Sequence, residues 1–170
     1  CPSDPACVPG FMITFQPQNV SRVRIYGAEA KGEWAFMQNW SVAGSMAYAS
    51  GEDTDTSEPL NSIMPFTAVA GLHYSSDGGD YGGAFNVTAV SSKRASDIAE
   101  PANVTLFRTG GFTTLDLTAF WNINRHARLT AGVFNLLDKK YWLWSSIYGT
   151  GLAASSPSVD RYTQPGRNAS

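Results

Sequence analysis

Residues 23–48 read VRIYGAEAKGEWAFMQNWSVAGSMAY, two runs of strict alternation joined by a very short turn. In the first run Tyr26, Ala28, Ala30, Gly32, Trp34 and Phe36 alternate with Gly27, Glu29, Lys31 and Glu33. Successive side chains of a strand point to opposite faces, so one face is apolar and the other charged. After Met37-Gln38-Asn39 the pattern restarts, with Trp40, Val42, Gly44, Met46 and Tyr48 facing one way and Ser41, Ala43, Ser45, Ala47 and Ala49 the other. The apolar face is small or aliphatic at its centre and aromatic at its ends, Tyr26 with Trp34 and Trp40 with Tyr48. Each pair spans eight residues, roughly 26 Å along a strand or about 20 Å of height at a tilt of ~40°. That approximates the lipid-facing band of a transmembrane β-barrel, about 25 Å tall with an aromatic girdle at each rim.

The rhythm continues outward from this hairpin. Phe66, Ala68, Ala70, Leu72 and Tyr74 alternate with Thr67, Val69, Gly71 and His73, and Gly78-Gly79 marks a hairpin before Tyr81, Gly83, Phe85, Val87 and Ala89. Leu115, Leu117, Ala119 and Trp121 oppose Thr114, Asp116 and Thr118; Leu129, Ala131 and Val133 oppose Arg128, Thr130 and Gly132. Beyond Phe134 the alternation is lost. Six strands are predicted, at about 23–36, 40–50, 64–75, 80–91, 112–122 and 127–138. Their connections alternate between short, at 37–39, 76–79 and 123–126, and long, at 51–63, 92–111 and 139–165. Outer-membrane barrels have short periplasmic turns and longer outer loops. A soluble β-sandwich would carry Leu, Ile and Val on its inner face rather than Ala and Gly between aromatic ends. The expected fold class is therefore all-β, an antiparallel transmembrane β-barrel segment of about six meandering strands. Residues 1–20 are expected to be an extracellular loop, 21–139 to hold the six strands, 140–165 the last extracellular loop and 166–170 the start of a final strand. An unclosed sheet in lipid leaves costly unpaired amides, so the segment is expected to be incomplete on its own.

Composition agrees. Charged residues are 15% of the chain, below the ~25% of soluble domains. A formal charge of -2 gives no electrostatic support for nucleic-acid binding. No run of about 18 apolar residues is present, so a transmembrane helix is unavailable. The opening Cys1-Pro2-Ser3-Asp4-Pro5-Ala6-Cys7 reads as a polar loop rather than a signal peptide. Cys1 and Cys7 are the only cysteines, and a small disulfide-closed loop is the preferred expectation for them over free thiols.

Chemistry-bearing residues are sparse. His73 and His126 have no second histidine or cysteine at ligand spacing. No serine sits in a G-x-S-x-G elbow, and no enzymatic activity is expected. The acidic stretch Glu52, Asp53, Asp55 and Glu58 lacks the order of an EF-hand loop. Glu29, Lys31, Glu33, Asp116 and Arg128 fall on the polar faces, where they can line a hydrated lumen. Among the loop aromatics, Tyr141, Trp142 and Trp144 are expected to anchor a rim. Tyr148 and Tyr162 are candidate ligand contacts, since tyrosine can ligate haem iron.

Four stretches carry a resemblance. Asn19-Val20-Ser21-Arg22-Val23-Arg24-Ile25-Tyr26-Gly27-Ala28-Glu29 resembles a strand signature of TonB-dependent outer-membrane receptors, specifically those for haem and haemoglobin. Pro59-Leu60-Asn61-Ser62-Ile63, Asn135-Leu136-Leu137-Asp138-Lys139-Lys140-Tyr141-Trp142 and Asp160-Arg161-Tyr162-Thr163-Gln164-Pro165-Gly166-Arg167-Asn168 are similar to further elements of the same group. The last departs slightly, since an aromatic or branched residue is commoner where Ala169 stands. The resemblance covers nearly all of this chain and about the last quarter of a typical receptor. It implies a 22-stranded barrel in the bacterial outer membrane, with an N-terminal plug and energy from TonB at the inner membrane. It also implies haem as a transported ligand, with haem or haemoglobin, outer-membrane lipid and the TonB complex as partners and no intrinsic cofactor. The plug, the TonB box and the axial haem ligands are expected outside this segment. A siderophore receptor of the same fold is the nearest alternative, and a passive porin or adhesin barrel the alternative from another class.

Overall fold

The computed structural model describes residues 22–170, so the expected loop at 1–20 and the Cys1 and Cys7 pair lie outside the described residues. Seven strands follow in order: β1 (Val23–Met37), β2 (Trp40–Asp53), β3 (Thr67–Ser75), β4 (Tyr81–Val90), β5 (Phe112–Asn124), β6 (Ala127–Phe134) and β7 (Asn168–Ala169). Each pairs antiparallel with its sequence neighbours in one sheet, an up-and-down meander that is not closed. The long edge of β1 and the short β7 are its two margins.

Register decides which side chains share a face. Trp34 lies opposite Val42, Val42 opposite Leu72, Leu72 opposite Phe85, and Phe85 opposite Leu117. Leu117 then faces Val133, and Val133 faces Ala169. One apolar row thus crosses all seven strands, and a one-residue slip at any ladder would turn the strands beyond it inside out. The neighbouring row on the other face runs Glu33, Ala43, Gly71, Asn86 and Asp116. The apolar face is open, with Trp34 71% and Trp121 54% exposed. An apolar surface of that extent requires a non-aqueous neighbour.

Aromatics line the short-turn end of this face. The rings of Trp40 and Tyr74 are 4.9 Å apart and those of Tyr74 and Tyr81 6.2 Å, while Trp34 packs on Phe36 at 5.8 Å. Tyr81 is opposite Trp121, which extends the band to β5. The short turns are also tied sideways: Gln38 Nε2 donates to Asp77 Oδ1, and Asn122 Nδ2 donates to the Gly79 carbonyl at 2.7 Å. On the polar face Phe120 covers Gly82, where an added Cβ would stand 2.7 Å from the ring. Arg128 lays its guanidinium over that ring, 4.1 Å from the centroid.

β6 ends at Phe134, four residues before the expected limit at 138. Asn135 takes a left-handed backbone (φ 51°) and leaves the strand, as does Asp138 (φ 50°). Asparagine tolerates that conformation better than most residues, and here its buried side chain also ties the chain together. Its Nδ2 donates to the carbonyls of Lys139 and Pro165, and its Oδ1 accepts from Lys139 N–H. Its own N–H donates to Asp116 Oδ1 at 2.8 Å. Asp138 Oδ1 then accepts from Arg167 N–H, one residue before β7. The segment from Asn135 to Asp138 is therefore a clamp that returns a loop of some thirty residues to the β6 edge.

Asn135→Gly keeps the backbone conformation and removes the side-chain bonds, stranding groups that are worth about 1–3 kcal/mol each when buried unpaired. Asn135→Ala should lose about 1 kcal/mol more, because it adds left-handed strain. Denaturant unfolding of the refolded protein in detergent micelles, comparing both variants, reads the two contributions separately.

Candidate functional site

The long connections do not hang free; they form a platform at one end of the sheet. Asn61, in the β2–β3 connection, uses its side chain as a peptide mimic: Nδ2 donates to Ala99 O at 2.9 Å and Oδ1 accepts from Ala99 N–H at 2.8 Å. The Asn61 carbonyl accepts from Trp144 Nε1 at 2.7 Å, so one residue joins all three connections. Trp144 opens a single helical turn, α1 (Trp144–Ile147), and is 4% exposed. With Ile98, Leu106 and Ile147 it forms a buried apolar cluster, flanked by Phe107, Trp142 and Tyr162. The hydrophobic core of the described residues thus lies mainly in the connections and not on the sheet.

Backbone pairing reinforces the cluster. Leu106 bridges to Ala153, Phe107 N–H donates to Leu152 O, and Ala154 N–H donates to Thr105 O. Phe107 meets Trp142 edge-on at 5.4 Å, and Trp142 Nε1 donates to Val159 O. Lys140 pairs with Asp160 at 2.8 Å, but both are exposed, which limits the pair to about 1 kcal/mol or less.

Lys93 is the unusual charge here. It is 6% exposed, its Nζ donates to Ile63 O at 2.7 Å, and it stands 5.3 Å from the centre of the Trp144 ring. Desolvation pulls its pKa below the usual lysine range, partly opposed by the charge of Asp97. Tyr141, its ring tilted against that of Phe112 at 4.2 Å, is pushed above the usual tyrosine range by burial and then by Asp116.

Of the expected rim anchors, Trp144 needs correction. Trp144 is interior to the platform, Trp142 packs on Phe107, and Tyr141 covers Phe112. The reason is that Trp144 finds its partner in Asn61, 83 residues earlier, a distance that no local pattern spans. Of the two candidate ligand contacts, Tyr148 is 39% exposed with its ring 6.4 Å from that of Trp144. Tyr162 is partly buried against the apolar cluster, in a turn of 3-10 helix over Pro157–Tyr162.

The polar face of the sheet contains a second constellation. Asn86 Oδ1 and His73 Nε2 both converge on the space above Gly71, where a Cβ would lie within 2.7 Å of each. Lys31 and Glu33 border the same groove. His126 sits in the β5–β6 turn, its Nε2 accepting from Arg125 Nε. Among the described residues no three His, Cys, Asp or Glu side chains gather as a metal site.

An open sheet with one continuous apolar face, a polar opposite face, short turns at one end and an interlocked platform at the other is a segment of barrel wall. Residues 2–136 match the family described as TonB dependent receptor-like, beta-barrel, and the chain belongs to that family. Among curated relatives it is 30% identical to Hemoglobin-binding protein A of Haemophilus influenzae, over 91% of this chain and 17% of that protein. It is 26% identical to Hemoglobin-haptoglobin utilization protein B of Neisseria meningitidis serogroup C, over 91% of this chain and 22% of that protein. The chain thus spans about a fifth of the length of these relatives. Among solved structures it is similar to the copper transporter OprC, with a TM-score of 0.73 and 27% identity over 86% of this chain and 23% of that one. The ferric enterobactin receptor of Pseudomonas aeruginosa shares the fold, with a TM-score of 0.64 and 19% identity over 89% of this chain and 22% of that one.

Two outcomes follow for the platform. Trp144→Phe keeps the ring and removes the bond to Asn61 O, and it should speed hydrogen exchange at the Ala99 and Phe107 amides with little change in β3 or β4. For Lys93 the sign is set by desolvation. At pH values below its depressed folded pKa the cost of burying the charge is fully present. As pH rises from there into the ordinary lysine range the unfolded state binds the extra proton, so stability should rise. That rise, read by thermal unfolding across alkaline pH, should vanish in Lys93→Met.

Proposed function

We propose that this chain is part of the barrel wall of a bacterial outer-membrane receptor that takes up haem from haemoglobin or a related iron source, energised through TonB. The observation that carries the choice of cargo is the match to haemoglobin-binding relatives across 91% of the chain, connections included. In this proposal the apolar row from Trp34 to Val133 faces lipid, and the Trp40, Tyr74, Tyr81 and Trp121 band lies at the periplasmic rim. Tyr26 and Tyr48 mark the outer rim. The polar face, with Glu33, His73, Asn86 and Asp116, borders a hydrated lumen through which the ligand passes. The interlocked platform faces outside and presents Tyr148, while Tyr162 supports it from within. TonB, the plug and the haem ligands would belong to other parts of the receptor. The protein acts as a transporter, not an enzyme.

A metal-ion or ferric-siderophore cargo is the second possibility, favoured by the 27% identity to a copper transporter. Deleting the receptor gene from its host and supplying iron only as haemoglobin separates the two. Growth should fail on haemoglobin and persist on ferric siderophores; the opposite pattern would remove the haem assignment.

The membrane depth is testable within the hairpin. Ala30→Arg places a cation on the lipid face near mid-height, at a cost of about 2–4 kcal/mol. Ala43→Arg places the same charge on the polar face, beside Glu33. Folded receptor in outer-membrane fractions, scored by heat-modifiable migration, should fall sharply for the first and little for the second.

A further inference from the structure

The ladder between β2 and β3 ends at Ala47 opposite Thr67, where β3 begins, while β2 runs on to Asp53 without a partner from β3. The gap opens into a cavity of about 420 Å³. Its walls have two chemistries. Tyr48 and Phe66 continue the apolar face of the sheet, whereas Lys93, Arg94, Ser92 and Ser96 come from the β4–β5 connection. The Ser91 N–H donates to Phe66 O, which holds the basic segment against the end of β3.

The cavity lining carries two cations, Lys93 and Arg94, against one acid, Asp97. Lys93 is buried, yet its ammonium meets a carbonyl oxygen and the face of a tryptophan, with no carboxylate within ion-pair distance among the described residues. Buried charges are ordinarily compensated by an opposite charge. The one acid lining the cavity, Asp97, is not within ion-pair distance of Lys93; its Oδ2 accepts from Arg94 N–H and its Oδ1 from the Ser96 hydroxyl, and it offsets one of the two positive charges. Arg94 lines the same cavity and is exposed. A cavity with one positive charge in excess, serine hydroxyls and an aromatic margin is complementary to an anionic headgroup whose chains run along an apolar surface.

We propose that this cavity binds the phosphate-bearing headgroup of an anionic lipid of the outer leaflet, with Lys93 and Arg94 on the phosphate and Tyr48 and Phe66 against the start of the chains. The assignment rests on the membrane orientation proposed above, which places this cavity at the outer rim. The volume suits a phosphate with its glycerol or sugar, and the chains remain outside.

The test uses the full-length receptor reconstituted in nanodiscs containing phosphatidylglycerol and phosphatidylcholine. Retained lipid is counted by native mass spectrometry after release. The unaltered receptor should retain phosphatidylglycerol in preference, and both Lys93→Met and Arg94→Gln should lower its occupancy at least fivefold. Arg125→Gln, at the opposite rim, should leave it unchanged. Because Arg94 is exposed, its variant reads the site even if Lys93→Met loosens the platform. Equal retention by all variants would overturn the assignment, as would displacement of the lipid by millimolar inorganic phosphate, which would identify a free anion as the occupant. Haemoglobin-dependent growth is scored in parallel. Normal growth with variant-independent lipid removes only the lipid site, whereas failure to assemble in the membrane removes the orientation as well.

Discussion

Backbone amides beneath an apolar surface have no water to turn to, and that constraint organises this molecule. Every strand must satisfy its N–H and C=O groups from its neighbours, because an unpaired group in hydrocarbon costs several kcal/mol. The meander does this without crossovers, each strand pairing with the next in sequence. Pairing then fixes register, and register fixes faces. Trp34, Val42, Leu72, Phe85, Leu117 and Val133 fall in one row because five successive ladders agree in parity.

A sheet that turns its apolar side outward cannot use that side as a core. The described residues place their buried apolar cluster instead among the long connections, where Ile98, Leu106, Trp144 and Ile147 meet. Asn61 and Asn135 serve the same purpose at different places. Each is a side-chain amide that replaces the missing backbone partners of irregular chain, Asn61 across to Ala99 and Asn135 across to Pro165. Irregular backbone near a sheet end has polar groups that must be matched, and an amide offers both a donor and an acceptor. Two of the stretches that resemble receptor signatures coincide with these anchors, which gives them a mechanical meaning: Pro59–Ile63 holds Asn61, and the run from Asn135 to Trp142 holds the clamp.

An interlocked platform at one end and a polar face along the other side suit a segment of barrel wall. Ligand contact at the surface requires loops that keep their shape, and passage requires a face that water can wet. Glu33, His73, Asn86 and Asp116 give that face its polar character.

Strand existence, the faces and the alternation of short and long connections were legible in the sequence by itself, because side-chain parity is a local property of period two and requires no knowledge of neighbours. Val23 to Tyr48 shows this most clearly: the faces assigned from alternation are those that the β1–β2 register brings together. The end of β6 was half legible, since the alternation fades after Phe134, yet the turn there depends on Asn135 reaching Pro165. The platform was not legible. Trp144, Tyr141 and Trp142 read as rim aromatics because their composition matches a rim, and only the tertiary structure could bring Trp144 to Asn61 and Lys93 under its ring. Such contacts between distant segments depend on where the sheet delivers the ends of its strands, which no local pattern encodes.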